Sequence, residues 1–321
     1  MENKSPALLG ISKRYLLSVY LILPFLMIVF LSDVYLFDSS LQPYMGLTSL
    51  ALPLYLLFFE LPHIIASFFS FADGEYLRYY KKQLFFYLPL LFVGTILLLT
   101  VSFSSAVVLY LVATVWHVLK QQTGIALILG ARPGLAHTLW TIVPIGITSV
   151  VSIYFSAPEL FPSQLLQGVS EILFGLVVLL LLVTGFRLYQ APKKVRLYIL
   201  CVSSLFLVSY VFILSGYLFL AFFAVRFVHD VSAFAFYAVH DQNRNAIEPA
   251  NFFYRLFKRV PLPIMVLTPV LAILFALLTR LTTDGFEIGY AILILVGMAH
   301  YYLESVMWKR DTPHRKYIKV T

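Results

Sequence analysis

Long apolar runs, broken by short polar stretches, follow one another along nearly the whole chain. They cover residues 15–33, 44–72, 84–104, 106–130, 138–157, 168–189, 196–214, 217–240, 262–280 and 287–308. A helix rises ~1.5 Å per residue, so ~20 residues cross a ~30 Å hydrocarbon core. Open strands cannot span lipid, because their backbone groups would go unpaired there. The pattern therefore predicts an all-α, polytopic transmembrane helical bundle of about ten spans, a single transmembrane domain over residues 1–321. The short run 138–157 and the tight 214–217 turn are its least distinct features.

Charge in the connections orients this bundle. With the N-terminus inside, only Arg280 of the 23 Lys and Arg residues falls in an outside loop. Lys120 and Arg226 fall within spans, and all the rest are inside. That is the positive-inside asymmetry, and an odd number of helices would scramble it. Both termini are thus expected in the cytoplasm. The expected cytoplasmic segments are an N-terminal tail 1–14, a longest loop 241–261 and a basic tail 309–321. In that loop, Phe252, Phe253, Tyr254 and Phe257 among Arg255, Lys258 and Arg259 suit either a short helix on the membrane surface or a plain basic loop. The C-terminal tail is expected to rest on anionic headgroups.

Composition agrees. The chain is 61% hydrophobic and 12% charged, against roughly 25% charged in soluble domains. The net charge of +8 does not indicate nucleic acid, since the basic residues are spread over short loops. The lone Cys201 excludes an intramolecular disulfide and a thiolate metal cluster. The first apolar run is long and lacks a small-residue cleavage site, so it is expected to remain as a span. The expected location is the cytoplasmic (inner) membrane of a bacterium or archaeon.

Ionisable groups inside lipid are costly and mark function. Here they gather on four spans that all run in the same direction: Glu60 and His63; His117 and Gln121; Arg226, His229 and Asp230; His300 and Glu304. His117, His229 and His300 each lie ~11–13 residues from the outer end of their span, hence at nearly one depth. His63 sits further along a span that Pro62 is expected to kink. The pairs Glu60/His63, His117/Gln121 and His300/Glu304 are spaced to share a helix face. Imidazoles from several helices at one level are how a bundle builds a metal site. His63, His117, His229 and His300 are therefore the candidate ligands. Glu60, Asp230 and Glu304 are candidate catalytic carboxylates, with Glu60 either a ligand or a supporting group. Gln121 and Arg226 are candidate supporting groups. A single intramembrane histidine more often bonds helices together; four with partnered faces favour metal. Histidine and carboxylate without thiolate suit Fe(II) first, then Zn or Mn. Trp116, Tyr301 and Tyr302 are candidates to line a cavity for an apolar substrate, although packing is the commoner role. His240 lies ~16 Å below His229 on the same face and is expected at an entrance or interface. His137 and His314 are expected to be solvated.

Four blocks around these residues resemble the Brp/Blh-type β-carotene 15,15′-dioxygenases, integral membrane iron enzymes that make retinal. Leu61-Pro62-His63 is similar to that family's Leu-Pro-His-Gly block, and 116–124 (WHVLKQQTG) to its second His block. Residues 227–236 (FVHDVSAFAF) and 299–319 resemble its third and C-terminal blocks. The resemblance implies a His-ligated iron enzyme with His63, His117 and His229 as ligands. Ile64-Ile65-Ala66-Ser67 replaces the family's Gly-Ala-Leu-Asp, and Ala233 stands where a second His of the third block would fall. His300 or Glu60 is left as the replacement ligand, and the substrate is expected to differ.

Three functions fit these residues. The first is an oxygenase acting with O₂ on a carotenoid or other unsaturated lipid. The second is a transporter or proton relay that uses the intramembrane His/Glu/Asp groups. The third is a non-catalytic helix or haem assembly. The partners expected are a lipophilic small molecule, O₂ and membrane lipids, with no nucleic acid.

Overall fold

A computed structural model describes residues 8–45, 54–156, 163–283 and 289–321. Among the described residues the helices are α1 (Lys13–Leu36), α2 (Leu56–Ala72), α3 (Gly74–Tyr79), α4 (Gln83–Val101), α5 (Phe103–Ile128), α6 (Leu135–Ser156), α7 (Ser163–Gln190), α8 (Lys193–Leu214), α9 (Leu218–Asn245), α10 (Phe252–Leu256), α11 (Ile264–Thr283) and α12 (Gly289–Met307). Two short strands, β1 (Gly10–Ile11) and β2 (Lys319–Val320), complete them. Parts of the expected spans 44–72, 138–157 and 287–308 lie outside the described residues.

The fold is all-α, and six helices (α1, α4, α5, α7, α8 and α9) are long and apolar enough to cross a membrane. Shorter apolar helices occupy Leu56–Ala72, Leu135–Val151, Ile264–Thr279 and Ala291–Met307. Large apolar side chains such as Leu21, Phe25, Ile28 and Leu97 stay mostly exposed. Water tolerates such a surface poorly and lipid does not penalise it. This is the exterior of an integral membrane protein.

The chain divides into two compact units. One comprises residues 1–16, 53–94 and 230–321, the other 17–52 and 95–229. In the first, α11 and α12 pack on α2. Ala66, Ala233 and Ala272 are buried in its core with Phe69, Tyr237, Leu271 and Leu303. Small residues let helices in lipid approach closely, where van der Waals packing holds them. Directly before Pro62 the helix contains a π turn over Leu56–Glu60, in which the Leu61 N–H reaches the Leu56 carbonyl. Pro62 has no N–H and its ring crowds the preceding turn, so a local change of register accommodates it.

The first unit orders both basic segments. The tail 309–321 is folded in: β2 pairs in parallel with β1, Gly10 against Lys319, and the Lys13 N–H donates to the Thr321 carbonyl at 2.7 Å. In the loop 241–261, α9 runs on to Asn245 and only α10 forms beyond it, capped by Asn251. Tyr254 of α10 is buried and donates to Asp241. Arg244 ties this end together, pairing with Asp73 at 2.9 Å and Glu75 at 2.7 Å and donating to the Tyr317 hydroxyl.

In the second unit, α5, α6, α7 and α8 pack in succession, and α8 also meets α5 and α1. The Trp140 indole on α6 donates to Ser203 on α8 at 2.9 Å, and Ser203 also bonds Thr184 on α7 at 3.0 Å. Such polar links between helices hold apolar faces in one register. The tight turn between α8 and α9 depends on Gly216. Its φ is +81°, and a Cβ there would meet the Gln42 side chain at 2.7 Å.

Candidate metal centre

His63 and His300 belong to the first unit, on α2 and α12. Both are fully buried. Their Nε2 atoms face one another at 3.1 Å, with the rings nearly perpendicular at 83°.

His63 Nδ1 lies 3.2 Å from Asp230 Oδ1, and the other Asp230 oxygen accepts the Tyr55 hydroxyl. The two atoms approach without the alignment of a hydrogen bond, so the contact is electrostatic and does not fix the tautomer of His63. His300 Nδ1 lies 3.0 Å from Ser67 Oγ. That hydroxyl donates to the Ile64 carbonyl at 2.6 Å, so it accepts from His300, whose proton is on Nδ1. His300 Nε2 is then an acceptor, 3.1 Å from His63 Nε2, and the two nitrogens can share a proton or bind one cation. Two nitrogens each ~2.1 Å from one ion and ~95° apart are ~3.1 Å from one another. The donor pair thus fits a metal ion.

His117 and His229 belong to the second unit, on α5 and α9. Their rings lie 4.7 Å apart at 77°, and a ligand nitrogen of each lies within 4.8 Å of the other's. His229 is fully buried and His117 nearly so. His229 Nδ1 is 2.7 Å from Gln121 Oε1. A further set of bonds identifies that atom as oxygen. The Tyr20 and Tyr198 hydroxyls both donate to Gln122 Oε1 at 2.8 Å. The Gln122 amide nitrogen in turn donates to Gln121 Oε1 at 3.0 Å. Gln121 Oε1 is thus an acceptor, His229 carries its proton on Nδ1, and its Nε2 is left as the donor atom. This is how groups behind a ligand orient it and set its tautomer.

The spacing of residues along single helices had suggested different partners. Gln121, four residues from His117, orients His229. Glu304, four residues from His300, accepts the Tyr237 hydroxyl, and Ser67 orients His300. Glu60 is buried at the end of the π turn. Asp230 stands behind His63. Arg226 is buried with its guanidinium 6.0 Å from the Phe222 ring. Of the candidate lining aromatics, Tyr301 is buried beside His300 and Tyr302 is half-buried against the core of the first unit. Trp116 is 45% exposed, and Lys120 Nζ lies 4.9 Å over its ring, so it faces outward. Tyr55, Ser67, Tyr20, Tyr198 and Gln122 were not anticipated. Only Ser67, four residues after His63, carried a spacing signal.

The remaining histidines depart from expectation. His314, expected in solvent, is fully buried. It stacks on Tyr76 at 3.9 Å and on His240 at 4.9 Å, and burial with His240 and Arg244 nearby holds its pKa well below the ordinary imidazole range. His240, expected at an entrance, is enclosed between Asp241 and the Tyr76 hydroxyl, each 2.9 Å away. His137 is half-buried and bonds Arg187 at 3.3 Å.

No protein-family model, curated protein or solved structure matches the chain.

Proposed function

We propose that His63, His117, His229 and His300 together hold one metal ion, and that the chain is a membrane-embedded non-haem iron oxygenase acting on a lipophilic substrate. The observation that carries this reading is the fully buried His63–His300 pair, whose Nε2 atoms lie 3.1 Å apart. His117 and His229 supply a second buried pair. The donor chemistry is all nitrogen with carboxylates nearby and no thiolate, which suits iron ahead of zinc or manganese. The resemblance to the Brp/Blh-type dioxygenases points the same way.

Iron in such a site would supply O₂ activation. The chain's own residues do the rest. Ser67 and Gln121 hold protons on the Nδ1 atoms of His300 and His229 and keep the opposite nitrogens as metal donors, and the Asp230 carboxylate stands 3.2 Å from His63 Nδ1. The apolar helices exclude water from the site and present their outer faces to lipid, the phase that carries a lipophilic substrate. Glu60 and Glu304 are buried carboxylates on the ligand-bearing helices α2 and α12, able to hold or pass a proton during turnover. We place the protein in a bacterial or archaeal inner membrane with about ten spans and cytoplasmic termini. Pairing of β1 with β2 favours termini on one side. The test is O₂ uptake and product analysis with β-carotene and other polyunsaturated lipids in detergent micelles. O₂ uptake that matches loss of the lipid supports the reading; none by iron-loaded protein counts against it.

A proton relay is the second reading, because Tyr55, Asp230, His63, His300 and Ser67 form a connected series and one proton could sit between the two Nε2 atoms. Ser67 also bonds the Tyr237 hydroxyl, which donates to Glu304, so the series runs on to a second buried carboxylate. Proton flux in liposomes by metal-free protein would favour the relay.

A further inference from the structure

The second unit contains a buried guanidinium without a counter-charge. Arg187, in the last turn of α7, is 1% exposed. Its Nη1 donates to the Arg132 carbonyl at 2.9 Å and its Nη2 bonds His137 Nδ1 at 3.3 Å. Its Nε has no hydrogen-bond partner, and among the described residues no carboxylate pairs with it. His137 accepts from Arg187, so it is neutral and offers no anion. A buried charge left this way is costly unless something outside the chain compensates it.

Arg187 borders a cavity of about 380 Å³ whose other walls include Gly134, Ala136, Leu139, Leu182 and Phe186. Gly134 and Ala136 place the N-terminus of α6 at this cavity. The first N–H groups of a 22-residue helix point outward with the positive end of its dipole. Gly134 has φ +138°, and nothing lies within 4 Å of where its Cβ would be, so the approach to those N–H groups is open. No acidic residue occupies that first turn. At the adjoining end of α7, Arg196 covers the Ala191 carbonyl at 3.1 Å. The polar wall therefore suits an anion. The other wall is apolar, and Leu182 and Phe186 are 67% and 53% exposed, as on a lipid-facing surface.

We infer that this cavity is a binding site for an anionic phospholipid, with its phosphate on Arg187 and the α6 N-terminus and its first acyl carbons along Leu139, Leu182 and Phe186. Arg is suited to phosphate because its planar fork gives paired hydrogen bonds. Basic pockets between membrane helices commonly take such headgroups. The inference stands apart from the histidine centre and does not need it.

Native mass spectrometry of detergent-purified full-length protein tests it, titrating phosphatidylglycerol, phosphatidylcholine, oleate and inorganic phosphate in turn. Wild type should hold one phosphatidylglycerol in preference to the other three. Arg187→Gln should weaken it roughly tenfold or more, and Arg187→Lys less. Leu139→Trp, which narrows the apolar wall and leaves Arg187 in place, should weaken it as well and keeps the test valid if Arg187→Gln fails to fold. Equal retention of phosphatidylglycerol by Arg187→Gln and Leu139→Trp would overturn the site. Inorganic phosphate or oleate binding as tightly as phosphatidylglycerol would overturn the ligand assignment, and so would indifference between phosphatidylglycerol and phosphatidylcholine.

Discussion

His63 and His300 lie Nε2 to Nε2 at 3.1 Å, with His300 Nδ1 bonded to Ser67 and His63 Nδ1 3.2 Å from the Asp230 carboxylate. One cation can be bound by both Nε2 atoms at that separation. Replacing either ring by Ala should abolish high-affinity metal binding. Asp230→Leu removes the carboxylate beside His63 and should weaken metal affinity by ~10–100-fold. Asp230→Asn keeps a polar oxygen of the same shape there and should lose less. Chelator competition on purified protein measures both, and equal affinity in Asp230→Leu would remove Asp230 from this role.

In the second unit the same logic runs through an amide pair. Gln121→Leu deprives His229 Nδ1 of its acceptor and should also weaken metal binding by ~10–100-fold. Gln122→Leu unties Gln121 from Tyr20 and Tyr198 and should have a smaller effect in the same direction. A Gln122 effect exceeding that of Gln121 would contradict the proposed order of support.

The positions of the helices were legible as apolar runs, because length and hydropathy alone decide what a bilayer accepts. The four histidines were legible because charge-bearing groups are rare in such runs. Their partners were not. Spacing along one helix links His117 to Gln121 and His300 to Glu304, whereas packing between helices gives Gln121 to His229 and Ser67 to His300. The tail misled for a related reason: Lys309, Arg310, Arg315 and Lys316 around His314 suggest a solvated strip. Nothing local shows that His314 turns inward to stack on Tyr76 while its basic neighbours stay at the surface.

His314 and His137 serve as controls for the metal site, and both Ala variants should keep the metal. His314→Ala should nevertheless destabilise the protein by ~2–4 kcal/mol, in the range for losing a buried ring, seen as a lower thermal midpoint in detergent. His137→Ala should change stability much less. Loss of metal in His314→Ala protein that is still folded would contradict the site assignment.

The buried His314 also sets a pH dependence. Its folded pKa is depressed, so the unfolded chain binds a proton more readily. Stability is then fully present above the unfolded value near ~6.5 and is lost as pH falls from there towards the folded value. Thermal midpoints should be flat from about pH 7 to 8 and fall below about pH 6.5. His314→Gln should have a shallower fall. An identical acid slope in this variant would assign the effect to other groups.

Metal analysis of detergent-purified protein, prepared without chelators from metal-replete cells, tests the central claim most directly. The account predicts near-stoichiometric iron, one ion per chain, without a haem band in the visible spectrum, and its loss when either histidine pair is removed. A metal-free protein would contradict it, and so would an ion that stays bound when one whole pair is replaced.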